Sequence, residues 1–302
     1  MPQNDRRRSK SVPIEFEPIQ NLTELPYTDR ITLVLVTDGK ASLLLNNNFI
    51  TITAPCILCI SQHDQVQVIE NNLLFAQSFS LSPNLLTSYF TSKQIKESAA
   101  DMTKWNYTSN MLRLFFTRNE TYNSILVLPP HVYLKIFEWI SIIGTETNAQ
   151  SDGRWICRIR RYFIQILNLL DDIYENREKT NDINKGFSPV DAVIEYIHVH
   201  YMNEITLDML CNLTHMNRTS LNKIYKERTG KTVIDYLISY RLRIARELLN
   251  YTSLTLDEIA RSTGFVYDTY LIRQFTAKMG ETPTEYRKNY RNKLDINASS
   301  QI

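Results

Sequence analysis

Between residues 31 and 81 apolar positions recur in short runs with strand-like alternation. "RITLVLVTDGKASLLL" predicts a hairpin whose two apolar runs join through Asp38-Gly39, a pair suited to a two-residue turn. "NNN" at 46–48 predicts a second turn, and "FITIT", "CILCI", "VQVIE" and "LLFAQSFSL" continue the series. Evenly spaced short strands predict a small barrel or jelly roll, because closure removes exposed edges. The period then changes. "SPNLLTSYF" predicts a helix start, with Ser82 as cap and Pro83 at the first helical position. "PPHVYLKIFEWISII" is apolar nearly all round, which predicts burial on several sides. In "RWICRIRRYFIQILNLLDDIYEN" one stripe holds Trp155, Ile159, Tyr162, Phe163, Ile166, Leu167, Leu170, Ile173 and Tyr174. The stripe suits packing on the barrel or pairing with a second copy. "ENREKTNDINKG" is polar and aperiodic, a linker. Beyond it every segment has helical period, starting at Ser188-Pro189 with the stripe Val190, Val193, Ile194, Ile197 and Tyr201.

Composition changes this picture little. A chain of 302 residues with 43% hydrophobic and 22% charged residues has room for two globular domains. A net charge of +2 means that any polyanion partner must be met by local basic groups. The start "MPQNDRRRSKS" puts Arg6, Arg7, Arg8 and Lys10 on a solvated tail, with no hydrophobic segment behind it to make a secretory signal. No apolar run approaches the ~18 residues of a membrane span. The four cysteines include Cys56 and Cys59, three apart on a predicted strand and so on opposite faces, unfit to share a metal. All four read as reduced thiols of a cytoplasmic protein.

A repeat carries the functional argument. "GKTVIDYL" at 230–237 and "GETPTEYR" at 280–287 share Gly, Thr, an acid and Tyr at one spacing, in a chain with seven glycines. Leu221 and Leu271, Lys223 and Arg273, Tyr225 and Phe275 match at the same offset of fifty (280 against 230). Upstream, "TLDMLC" from Thr206 and "TLDEIA" from Thr255 match at an offset one shorter, so an extra residue falls near Gly264 and marks a turn. Each copy predicts helix–turn–helix, at about 207–228 and 256–279. Thr255 and Glu258 form a capping box, and Gly230 and Gly280 end the second helices. Leu221 and Tyr225, then Leu271 and Phe275, face inward. Thr219, Asn222, Lys223 and Lys226 in one copy, and Thr269, Ile272, Arg273 and Thr276 in the other, face outward. Such short polar-to-basic faces suit the major groove of DNA.

With these motifs, the span from about Ser188 to Arg287 resembles the AraC/XylS family of bacterial transcription regulators. "IARSTGFVYDTYLIRQF" and "MGETPTEYR" carry the likeness, and "YLISYRLRIARELL" resembles the family's linker helix. The resemblance implies an α+β chain: an N-terminal cupin-like β-barrel with following helices, then an all-α domain of two helix-turn-helix units joined by a linker helix. The expected map is a flexible basic tail over 1–20, a cupin-like regulatory domain over 21–128 and a helical dimerisation region over 129–177. A linker follows over 178–187, then a DNA-binding domain over 188–293 and a flexible tail over 294–302. The implied DNA contacts are Arg218, Thr219, Ser220, Asn222, Lys223 and Lys226, then Asp268, Thr269, Tyr270, Ile272 and Arg273. The implied partners are double-stranded DNA, a second copy of the chain, RNA polymerase and a small-molecule effector, for an activator at the nucleoid. No membrane, cofactor or metal is expected. Cys211 and His215 stand where the family has Ala and Gly, which puts the regularity of the first turn in question. Leu271 and Thr276 replace a Phe and a Lys. Asp268 would repel phosphate but could accept from cytosine, and Ile272 suits a thymine methyl.

Rival readings come from other classes. A solenoid or protein-binding bundle needs roughly three repeats, and this chain has two. A metal-dependent cupin enzyme needs clustered His and carboxylate ligands. The β-region offers His63, with Asp64 beside it and pointing elsewhere, and His198 and His200 do not share a helix face. Lys40 and Lys93 are candidates to meet an anionic effector.

Overall fold

In the computed structural model, which describes residues 3–5, 10–25, 29–85, 112–119, 121–180 and 188–299, two long antiparallel strands organise the N-terminal half. They are β4 (Ile31–Leu45) and β7 (Val66–Leu81), paired from Ile31↔Leu81 to Leu45↔Val66. Each merges two expected strands, so the hairpin predicted at Asp38-Gly39 does not form. The register shifts there instead, and Gly39 (φ +80°) makes a bulge opposite Leu73 (φ 50°). A Cβ on Gly39 would stand 2.2 Å from the Leu73 carbonyl oxygen. The same backbone freedom that suits a turn suits a bulge, and continuous pairing with β7 selects the bulge. The expected turn at Asn46-Asn47 does form, with both residues at positive φ, and leads into β5 (Asn48–Thr53) against the far half of β4.

The near half of β4 pairs with β6 (Cys56–Ile60), which pairs with β8 (Ile125–Val127). β1 (Gln3–Asp5) and β2 (Lys10–Val12) pair with each other, and β3 (Ile14–Glu17) pairs with β7. Ile14 is fully buried, so the expected tail over 1–20 instead contributes strands. The main sheet runs β3-β7-β4-β6-β8 with β5 beside β4, and its end strands do not pair among the described residues. The sheet is open rather than a closed barrel. One apolar cluster includes Val34, Val36, Leu43, Leu45, Ile52, Leu58 and Ile60. Cys56 belongs to it, while Cys59 lies beside the Tyr122 hydroxyl; burial pushes both thiols up to about 12.

The expected helix at Ser82-Pro83 is a single 3-10 turn over Pro83–Leu85, and the residues after it, Lys93 included, lie outside the described ones. A short α1 (Arg113–Phe116) precedes α2 (Pro130–Ala149) and α3 (Trp155–Thr180). α2 is not buried all round, since Leu134 and Phe137 are exposed. α3 packs inward: the Phe163 ring lies 5.5 Å from Phe79 and 6.4 Å from Phe115. Leu167 and Leu170 are 1% and 0% exposed within one chain, so charging them would test folding rather than pairing. α3 also runs to Thr180, into the expected linker.

The chain divides into two compact units, Met1–Tyr174 and Glu175–Ile302. The second holds α4 (Pro189–His200), α5 (Leu207–Thr214), α6 (Arg218–Thr229), α7 (Val233–Tyr251), α8 (Leu256–Ser262), α9 (Asp268–Met279) and α10 (Pro283–Ser299). α10 extends into the expected tail over 294–302. Among the described residues no helix is long and apolar enough to cross a membrane.

Candidate nucleic-acid interface

The fifty-residue repeat is a repeat of structure. α6 and α9 are each 12 residues long, start fifty positions apart and end against Gly230 and Gly280, both at positive φ. Thr232 then caps α7 and receives Asp235 N–H, as Thr282 receives Glu285 N–H before α10. The tyrosine closing each phrase lies edge-on to the aromatic of the preceding helix. Tyr236 meets Tyr225 at 5.6 Å and 79°, and Tyr286 meets Phe275 at 5.4 Å and 71°. The repeated words thus stop one helix, cap the next and dock it on the first.

The turns inside the helix-turn-helix units match as well. Met216 N–H donates to the Cys211 carbonyl at 3.1 Å, and Phe265 N–H to the Ala260 carbonyl at 2.9 Å. His215 (φ 54°) adopts the left-handed conformation that Gly264 (φ +77°) adopts in the second unit, so the first turn is regular despite its side chain. Glycine is needed at 264 for space too. A Cβ there would lie 2.3 Å from the Tyr201 carbonyl oxygen and 2.9 Å from Arg241 Nη2. Arg241, buried on α7, donates to the carbonyls of Tyr201 and Asn203 at 2.8 Å each and reaches over the Phe265 ring. One side chain therefore joins the end of α4 to the turn of the second unit.

On α6, Thr219, Lys223 and Lys226 are exposed, and Ser220 is half-buried. Arg218 is exposed but engaged: its Nε and Nη2 donate to Asp208 of α5 at 2.7 and 2.5 Å. Those bonds hold the Asp208 carboxyl below its ordinary range. Asn222 is half-buried, and its Oδ1 accepts from Val233 N–H at 3.3 Å. On α9, Thr269 and Arg273 are exposed, while Asp268, Tyr270 and Ile272 are half-buried. Asp268 Oδ1 accepts from Thr269 N–H at 2.6 Å. Tyr270 turns its ring edge-on to Phe265 at 5.7 Å and sits 5.1 Å beneath the Arg273 guanidinium, orienting it. Leu221, Tyr225, Leu271 and Phe275 are fully buried.

Sequence reasoning missed Val266 and Tyr267, 75% and 68% exposed at the amino end of α9. In the N-terminal half, Asp64 is a structural tie and not a ligand. Asp64 accepts from Ser61 N–H, Ser61 Oγ and Asn46 Nδ2 and pairs with Arg118 at 2.5 Å. His198, buried on α4, bonds the Tyr236 hydroxyl at 2.9 Å.

Residues 210–289 match the family described as "Helix-turn-helix domain". The chain is 31% identical to the xylose operon regulatory protein of Escherichia coli (strain K12) over 189 residues, 54% of this chain and 48% of that protein. It is 28% identical over 109 residues to the bifunctional transcriptional activator/DNA repair enzyme AdaA of Bacillus subtilis (strain 168), 36% of this chain and 52% of that one. The chain thus spans about half the length of these relatives. Among solved structures, the DNA-binding domain of AdpA in complex with a target DNA is 25% identical, at TM-score 0.34, over 35% of this chain and 96% of that one.

Proposed function

We propose that this chain, whose C-terminal part is an AraC-type helix-turn-helix domain, is a transcription regulator that reads two successive major grooves of DNA with α6 and α9. The observation that carries the reading is the duplicated unit. Two helices of equal length, ended and docked alike, present Thr219, Asn222 and Lys223 in one copy and Thr269, Ile272 and Arg273 in the other. These side chains are suited to hydrogen bonds and apolar contacts with base edges. Activation is favoured because AdaA, a relative, is described as a transcriptional activator. A second copy of the chain, RNA polymerase and a small-molecule effector at the N-terminal unit belong to the same reading, as does a place at the nucleoid. Genome-wide recovery of bound DNA, followed by affinity measurement on the recovered site and on its scrambled sequence, tests it. Equal affinity for the two duplexes would sink sequence-specific regulation.

The metal-dependent enzyme is the weaker reading. The N-terminal sheet presents an aliphatic cluster where such an enzyme would need ligands, and Asp64 is already committed to Arg118 and Ser61. Stoichiometric iron, manganese or zinc in the purified protein would reverse that judgement.

A further inference from the structure

A cleft of about 420 Å³ opens between the carboxyl ends of α6 and α9 and the amino-terminal half of α7. Its rim carries three lysines, Lys226 from α6, Lys231 from the loop before α7 and Lys278 from α9, against one acid, Asp235. Asp235 accepts from the Thr232 hydroxyl at 2.6 Å within the cap of α7 and is exposed. Lys231 Nζ is held 3.2 Å from Ser239 Oγ, aimed along the cleft wall. Among the described residues no carboxylate forms an ion pair with any of the three ammonium groups. Three positive charges against one carboxylate leave the cleft net positive, which favours an anionic partner. The amino end of the 19-residue α7 adds its positive dipole end to the same space.

The cleft borders the exposed face of α6, to which Lys226 belongs, while on α9 it meets Gln274, Ala277 and Lys278, on a different side of the helix from Arg273. With α6 and α9 in successive major grooves, the minor groove between them is edged by two sugar-phosphate strands. We propose that the cleft seats one of those strands, with Lys226, Lys231 and Lys278 each neutralising a backbone phosphate. This inference rests on the groove-reading function of α6 and α9 and adds to it the site that fixes the duplex in register. Phosphate contacts position the protein without reading sequence.

The test uses the full chain with Lys231→Gln, Lys278→Gln and the double variant, on a recovered target duplex and its scrambled counterpart. Each neutralised phosphate contributes about 0.9 to the slope of log affinity against log salt. The slope should therefore fall by about one for each lysine removed, with a several-fold loss of affinity that is equal on both duplexes. Target duplexes bearing neutral methylphosphonates between the two half-boxes should bind the wild type less tightly and cost the double variant less, by the two contacts it has already lost. A wild type that binds its target with a steep salt slope, while both single variants keep that slope, would overturn the cleft and leave the groove reading intact. Absence of any salt-dependent binding by the wild type would overturn both. Inorganic pyrophosphate that protects the chain against thermal unfolding through Lys231 and Lys278, without competing with DNA, would make the cleft a small-anion site and overturn its backbone role.

Discussion

Arg273 is already oriented by the Tyr270 ring, so, in the proposed DNA contact, little of its rotamer freedom would remain to be lost. Arg273→Ala should cost roughly 1–3 kcal/mol on the target site and relax preference at one base pair. Measurement on a panel of single-base substitutions checks this; a loss that is the same on every duplex would mean a phosphate contact only. Asp208 poses the opposite case, an acid beside a reading helix that occupies Arg218. Asp208→Asn removes a phosphate-repelling charge and releases the arginine, so DNA affinity should rise and the salt slope steepen by up to about one. Unchanged affinity and slope would show that Arg218 stays on α5 when DNA is bound. Glu247, buried on α7, affects stability instead. Burial pushes its carboxyl up to about 7, against the lowering influence of Arg246 and Arg243 beside it, with Tyr286 facing it from α10. A carboxyl whose folded pKa is raised is ionised more readily by the unfolded chain. Its unfavourable contribution therefore grows as pH rises from the ordinary glutamate range to about 7 and is constant above. Glu247→Gln should raise the midpoint of thermal unfolding at pH 8 relative to wild type and lose that advantage at pH 4. An equal difference at the two pH values would contradict it.

At the scale of elements, the glycines separate what was legible from what was not. "GKTVIDYL" and "GETPTEYR" were readable because stop, cap and docking aromatic are all local, within eight residues, and recur twice. Asp38-Gly39 was misread because a bulge and a turn ask the same backbone freedom of glycine, and the choice belongs to β7, some thirty residues downstream. Likewise "PPHVYLKIFEWISII" shows no polar face, so nothing local told that Leu134 and Phe137 face outward. The exposed faces of α6 and α9 followed from helical period. The engagement of Arg218 with Asp208 and of Asn222 with Val233 did not, because both partners lie on neighbouring elements. The same distinction predicts unequal costs for two substitutions. A methyl group added at Gly280 would meet nothing within 4 Å, so Gly280→Ala should cost only the left-handed penalty, roughly 1–2 kcal/mol. Gly264→Ala adds a collision with the Tyr201 carbonyl and with Arg241, neither of which can yield without breaking the other's hydrogen bond. Chemical denaturation should find Gly264→Ala clearly the more destabilised; equal midpoints would mean that the turn relaxes freely.

For the whole molecule, the decisive question is whether the two helix-turn-helix units act on DNA as one body. α7 joins them and is buried along nearly its whole length, with Val233, Leu237, Tyr240, Leu242, Ile244, Ala245, Leu248 and Leu249 all inside. Its 19 residues at ~1.5 Å each make a shaft of roughly 28 Å. Reading two successive major grooves of straight DNA asks α6 and α9 to stand about one turn, ~34 Å, apart. Arg241 stiffens the joint by tying Tyr201 and Asn203 to the turn at Gly264, so the units are not beads on a flexible link. A fragment spanning 188–299, which keeps α10 whole, should therefore fold alone and bind the target with the salt slope of the full chain. Within it, Ala245→Pro removes a helical hydrogen bond in a fully buried turn, at a cost of ~3 kcal/mol or more. High-affinity binding should be lost even where circular dichroism still shows substantial helix. The complementary change is made in the DNA. Five added base pairs between the half-boxes turn one box to the opposite face of the duplex, out of reach of a rigid pair, whereas ten restore the face but lengthen the gap by a full turn. Both insertions should reduce wild-type affinity to that of a single half-box. If five base pairs are tolerated, the units bind independently and α7 is a tether rather than a ruler.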